Sequence, residues 1–183
     1  HILDVSYRKA IVDMVKCLAE LGHERIAFLS GYSTKESKHT KYGDFCEALR
    51  VQGLPLVQEL IVEGEPPYIA DLDAGYHSMK ELLGRTRDFT AVFAVNDLVA
   101  IGAMKALREQ GLRIPEDISV VGCDDIQFAS YMEPALATIR IPKGEMGMLA
   151  TDMLYDILNG NTCEDTVLTA AFQTGASIAK HPA

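Results

Sequence analysis

What the chain lacks narrows its class first. No apolar run approaches the ~20 residues that a membrane-spanning helix needs, so no membrane segment is expected. No secretory signal pattern stands at the start, although a mature secreted chain would have lost one. The first residue is His1 rather than Met, which leads to the expectation of a fragment or a processed chain. Lys and Arg number 17 against 26 Asp and Glu, a net charge of −9, and they form no basic cluster. Nucleic acid is gripped through phosphates by a basic face, so any DNA contact must come from elsewhere. Cys17, Cys46, Cys123 and Cys163 show no metal-ligand or redox-motif spacing, which points to free thiols in a reducing cytoplasm.

Enzyme signatures are missing as well. There is no Gly-x-Gly-x-x-Gly after a strand, no Walker-type glycine loop and no Gly-x-Ser-x-Gly elbow, so nucleotide and hydrolase chemistry lose their support. The histidines at 1, 23, 39, 77 and 181 are isolated in sequence, with no pair at helical metal spacing. His23 follows a predicted helix end, where a cation would favour the dipole. No cofactor and no metal is expected.

What is there centres on Phe89 to Asp125. Ala91 to Val95 is a short apolar run suited to a strand buried on both faces, and Asn96-Asp97 then supplies a turn and an N-cap. Leu98, Ile101, Met104 and Leu107 recur at helical spacing until Gly111, where a left-handed C-cap residue is expected. Ile118 to Val121 is a second buried run, ending on Gly122-Cys123-Asp124-Asp125. Open parallel sheets bind ligands beyond the carboxyl ends of their strands. Asn96, Asp97, Asp124 and Asp125 would face that crevice, and helix capping or loop formation explains them equally well. For Asp124 and Asp125, Mg²⁺ ligation and acceptance of hydrogen bonds from a polyol both remain open. The second is favoured, because no further metal ligands are evident.

The rest of the chain alternates strand and helix: helix 10–21, strand 25–29, a polar loop 31–40 entering a helix, strand 60–62, helix 74–83. A Pro66-Pro67-Tyr68 loop lies between the last two. Beyond Asp125 come a short helix over 126–132, an extended segment 138–141, an amphipathic helix from Met146 to Leu158 and a strand over 166–172. The residues after Lys180 should fray. This alternation indicates an α/β fold, a doubly wound parallel sheet covered on both faces.

Several of these segments together resemble a known family. Leu21-Gly-His-Glu-Arg-Ile-Ala-Phe-Leu-Ser-Gly31, Val95-Asn-Asp-Leu98, Ile114-Pro-Glu-Asp-Ile-Ser-Val-Val-Gly-Cys-Asp-Asp125 and Leu136-Ala-Thr-Ile-Arg140 are similar to the effector-binding core of lactose-repressor (LacI/GalR) transcriptional regulators. The resemblance implies one periplasmic-binding-protein-like lobe over residues 7–141. Residues 1–6 would be the tail of a missing amino-terminal lobe, 142–160 a helix belonging to that lobe, and 161–183 a returning strand and tail. The helix would then lack its usual cover, so it should pack on another molecule or be poorly ordered.

The function implied is sensing of a small-molecule effector, commonly a sugar, by a cytoplasmic homodimer that meets operator DNA through a separate helix-turn-helix. The alternative is a periplasmic sugar-binding protein of a transporter. Asn96 and Asp124 match the family's ligand contacts, and Lys41 stands where an arginine is usual. Tyr68 takes the place of a stacking aromatic, while Ile101 and Met132 lie at matching dimer-interface positions. By the same resemblance Asp97 becomes the helix cap and Asp125 a structural partner.

Overall fold

The computed structural model describes residues 1–33, 41–66 and 68–181. Six strands form the main sheet: β2 (Ile26–Leu29), β3 (Ile61–Val62), β4 (Ala91–Ala94), β5 (Ser119–Asp124), β6 (Ala137–Arg140) and β8 (Ala171–Gln173). Their order is β3-β2-β4-β5-β6-β8, parallel except for β8, which runs antiparallel to β6. β2 and β4 are buried throughout, as runs covered by helices on both faces must be. β1 (Leu3–Ser6) and β7 (Thr166–Thr169) pair with each other in a separate parallel two-stranded sheet. The apolar segment 166–172 is therefore two strands in two sheets, parting at Ala170, and not the single strand expected.

The helices are α1 (Arg8–Glu20), α2 (Lys41–Gln52), α3 (Leu72–Arg85), α4 (Asp97–Glu109) and α5 (Lys143–Leu158). The expected 31–40 loop lies largely outside the described residues, as does Pro67. Right-handed crossovers place α2, which steps from β2 outward to β3, on the opposite face from α3 and α4, which step the other way. The strand order thus reverses between β2 and β4, the switch point at which open α/β sheets hold ligands. Beneath it, Phe28 stacks on Phe45 at 5.2 Å and tilts against Phe93 at 5.4 Å, with Tyr42 at 5.5 Å.

Two expectations about α4 are corrected. Its buried face is Val99, Ala100, Ala103, Met104, Ala106 and Leu107, whereas Leu98 is exposed and Ile101 half-buried. The reason is close approach: α3 and α4 meet backbone to backbone, and a Cβ on Gly102 would lie 2.0 Å from the Leu72 carbonyl oxygen. Small residues, not the large ones, mark the inward face.

The second correction concerns the cap. Asn96, not Asp97, closes the amino end of α4, its Oδ1 accepting from the Val99 amide at 2.8 Å. Gly111 takes the expected left-handed conformation, φ 74°.

The carboxyl-terminal tail does not fray at His181, whose amide donates to the Leu21 carbonyl at 2.8 Å. Its ring stacks on His23 at 5.8 Å, so two histidines distant in sequence are neighbours. His23 is buried rather than a solvated cation. Its Nε2 donates to the Ala179 carbonyl at 3.0 Å, and its Nδ1 accepts from Thr90 Oγ1 at 2.9 Å. Burial lowers its pKa from the usual 6.5, with the Ala179 hydrogen bond opposing and His181 adding to the shift.

α5 lies beside β1, and none of its sixteen residues is buried. Met146, Leu149 and Met153 are half-covered, while Met148, Leu154, Tyr155, Ile157 and Leu158 are exposed.

Candidate functional site

The carboxyl ends of β2 and β4, the end of β1 and the start of α2 converge on a cavity of about 300 Å³ lined by Asp4, Val5, Tyr7, Phe28, Ser30, Tyr32, Ser33, Lys41, Tyr42 and Val95. A second, more open cavity of about 730 Å³ shares Asp4, Val5, Tyr7 and Lys41 with it, so the two are contiguous. Small-molecule sites fall in the range of ~300–1,000 Å³ and carry a few polar groups on an apolar wall. Here the floor is Phe28, top residue of the aromatic core cluster, and the walls carry three tyrosines.

Lys41 is the cation at the centre. Its Nζ donates to the Val95 carbonyl at 2.9 Å and to Asp124 Oδ1 at 3.4 Å, and it sits 4.6 Å from the centre of the Tyr7 ring. Burial pushes the amine pKa down, but the acidic neighbours Cys123, Asp124 and Tyr7 outweigh it and the balance is upward. The Cys123 thiol is itself pushed up to about 12, first by burial and then by Asp124, with Lys41 opposing. Cys123 therefore stays protonated at neutral pH, and among the described residues the ionic partner of Lys41 is Asp124.

Asp124 ends β5 at φ 107° and Asp125 follows at φ 51°, both in the left-handed region that costs an L side chain free energy. Such conformations persist only where surroundings impose them. Asp125 Oδ2 accepts from Arg140 Nε at 2.6 Å, and its carbonyl accepts from Lys143 Nζ at 2.8 Å, so its role is to tie the end of β6 and the start of α5.

Of the sequence-predicted ligand residues, Lys41 and Asp124 are brought together. Lys41 lines both cavities, whereas neither Asp124 nor Asn96 lines either one; Asn96 is half-buried, its Oδ1 caps α4 and its Nδ2 donates to the Ala70 carbonyl at 2.8 Å. Tyr68 is 39% exposed and, among the described residues, is not one of those lining either cavity. Sequence reasoning missed Tyr7, Ser30 and Tyr42, which the ends of β1 and β2 and the start of α2 bring to the switch point. No spacing pattern connects them; only the strand order does.

Ile101 and Met132 are both half-buried. They flank more exposed apolar residues, Leu98 at 37%, Phe128 at 69% and Tyr131 at 78%. Two hydrogen bonds hold α4 against the 3₁₀ turn Gln127–Tyr131 and its exit, Ile126 N to Asp97 Oδ2 at 2.8 Å and Arg108 to the Glu133 carbonyl. Among the described residues, no group of three His, Cys, Asp or Glu could hold a metal ion, and no helix is long and apolar enough to cross a membrane.

Known proteins share this fold. Residues 15–178 match the family of periplasmic binding protein-like domains. The chain is 36% identical over 155 residues to the HTH-type transcriptional repressor PurR of Pasteurella multocida, covering 84% of this chain and 45% of that repressor. It thus spans about half the length of such relatives. The Escherichia coli transcriptional repressor ascG superimposes with a TM-score of 0.81 at 31% identity, over 96% of this chain and 63% of that one. A LacI family transcriptional regulator from Enterococcus faecium with bound ribose gives 0.85 at 29% identity, over 97% and 65%.

Proposed function

The chain belongs to the periplasmic binding protein-like domain family, within the group of LacI/GalR effector-binding domains, and on that premise we propose that it is the effector-sensing part of a bacterial transcriptional repressor. The observation that carries this reading is the cavity at the switch point, lined by Lys41, whose ammonium pairs with Asp124. Asp124 offers a carboxylate to paired hydroxyls, tyrosine faces suit a ring, and the effector class is a sugar, as in the ribose-bound relative. Asn96 has one Nδ2 hydrogen and one Oδ1 lone pair left beyond its two backbone hydrogen bonds. The kinship with repressors favours this reading over a transport protein; the role proposed is binding rather than catalysis, in the cytoplasm where operator DNA lies.

Residues 7–141, together with β8 and the tail that follows it, form the carboxyl-terminal lobe in this reading. The two-stranded β1–β7 sheet and α5, with no residue of the helix buried, are part of a second lobe whose remaining surface covers them. Effector binding then acts by favouring one arrangement of the lobes, to the extent that it binds the two arrangements unequally. Ile101 and Met132, with the exposed Phe128 and Tyr131, form the face on which two copies meet.

The test is calorimetric titration of the full-length protein with D-ribose and a panel of other pentoses and hexoses. Asp124→Ala is expected to weaken the sugar bound by about 10- to 100-fold, the worth of a hydrogen bond to a charged group. An unchanged affinity would remove Asp124 from the site. Sedimentation of the same protein checks the dimer, and a monomer at micromolar concentration would refute it.

A further inference from the structure

We propose that Asp97, acting through Thr138, is a positioning residue that holds the Asp124–Asp125 turn in its left-handed shape and so aims Asp124 at the effector; this rests on the reading of Asp124 as an effector contact.

Asp97 is completely buried at the first turn of α4, yet it caps nothing there, because Asn96 has taken that role. Both of its oxygens reach instead across to the end of β5 and the start of β6. Oδ2 accepts from the Ile126 amide at 2.8 Å, and Oδ1 accepts from Thr138 Oγ1 at 2.5 Å. The same Thr138 hydroxyl oxygen accepts from the Asp125 amide at 3.2 Å. The two amides that follow the φ 107° residue are therefore pinned, one directly and one through a hydroxyl, to a single carboxylate.

Room for that carboxylate is made by Gly122, where a Cβ would lie 2.3 Å from Asp97 Oδ1. Three positions on three elements, Asp97 on α4, Gly122 on β5 and Thr138 on β6, thus converge on one turn.

The strain of two successive left-handed aspartates has to be imposed from outside the turn, and these are the hydrogen bonds that do so. The other end of the turn is fixed by charge, with Arg140 of β6 and Lys143 of α5 both on Asp125. Asp124 is left with a partner, Lys41, that a ligand can displace or share. The groups facing Asp97 itself are Asp124 and Asp125, both of which disfavour its charge.

Two conservative changes separate the hydroxyl from the side-chain volume. In the full-length protein without effector, Thr138→Val is expected to speed amide hydrogen exchange at Asp125 and Ile126 by about tenfold, the worth of one buried hydrogen bond, while Thr138→Ser stays near wild type. Val121, in mid-strand, should not change in either. D-ribose affinity should fall about tenfold in Thr138→Val and be kept in Thr138→Ser. In the wild type the Asp125 and Ile126 amide signals should titrate together with Asp97, and lose that titration in Asp97→Asn.

Exchange at Asp125 and Ile126 that is unchanged in Thr138→Val, or raised all along β5, overturns the proposal. So does a raised exchange with unaltered ribose affinity. If Asp124→Ala leaves sugar affinity untouched while the exchange and titration results hold, the hold of Asp97 on the turn stands and the ligand role of Asp124 falls.

Discussion

At the amino ends of β4, β5 and β6, the polar groups that face inward are neutral and matched, while the ion pairs Arg25–Asp88 and Arg113–Asp117 stay at the surface. Ser177 Oγ donates to the Val120 carbonyl at 2.6 Å and accepts from the Ala137 amide at 2.8 Å. His23 joins Thr90 to Ala179, and Ser119 Oγ accepts from the Ala179 amide at 3.1 Å. At the carboxyl ends of the same strands the groups are charged, partly open and bent: Lys41, Asp124 and Asp125, with left-handed backbone and a cavity. The tail from Gly175 to His181 closes the first rim, and nothing comparable covers the second among the described residues. One end of the sheet is spent on stability, and the other holds conformations that stability alone would not select.

The largest expected effect lies on the closed rim. His23→Ala removes a buried ring and leaves Thr90 and the Ala179 carbonyl without their partner, which costs about 3 to 4 kcal/mol from the cavity and the lost hydrogen bonds together. A urea or thermal denaturation series measures it. Sugar affinity of the folded protein should be unchanged, and a loss of affinity at full stability would break the separation of the rims.

Opposite pH responses sharpen the contrast. Asp97, beneath the open rim, is pushed up to about 6 from 3.8, first by burial, with the Thr138 and Ile126 hydrogen bonds opposing and Asp124 and Asp125 adding to the shift. Between those values the folded chain keeps a proton that the unfolded chain has released. Stability therefore falls as pH rises from below 4 to above 6, by up to about 3 kcal/mol for such a shift. His23 runs the other way: its folded pKa is depressed, so its contribution is present above 6.5 and lost as pH falls through that lower value. Denaturation midpoints at a series of pH values should show Asp97→Asn abolishing the fall between 4 and 6. If that variant keeps the wild-type slope, the carboxylate is not what titrates.

The sheet was legible because parallel strands under helices are continuous apolar runs, and Ala91 to Val95 could be nothing else in that setting. Asp124 was legible because it ends such a run. What misled was local proximity. Asn96 and Asp97 are adjacent and both are competent caps, and which one turns inward depends on Gly122 and Thr138, 25 and 41 positions beyond Asp97. Leu98 and Ile101 satisfied helical spacing, yet Gly75 and Gly102 let α3 approach so closely that alanines became the inner face. Likewise nothing near His23 in sequence announces His181; only the return of the tail brings them together.

The smallest effect is also the one whose sign matters most. Asp124 sits at φ 107°, a conformation in which glycine carries no Cβ penalty, and its ion pair with Lys41 at 3.4 Å is partly open to solvent. Asp124→Gly relieves backbone strain of about 1 to 3 kcal/mol. Against that stand the greater freedom of glycine in the unfolded chain, about 0.5 to 1 kcal/mol, and a solvent-screened ion pair worth less than about 1 kcal/mol. At mid-range the net expectation is a gain of about 1 kcal/mol, read as a higher urea midpoint at unchanged slope, together with the loss of sugar affinity expected of Asp124→Ala. A variant that is instead destabilised by more than about 1 kcal/mol would mean that the carboxylate of Asp124 holds the fold together. The open rim would then be structural like the closed one, and the division of labour between the two ends of the sheet would not hold.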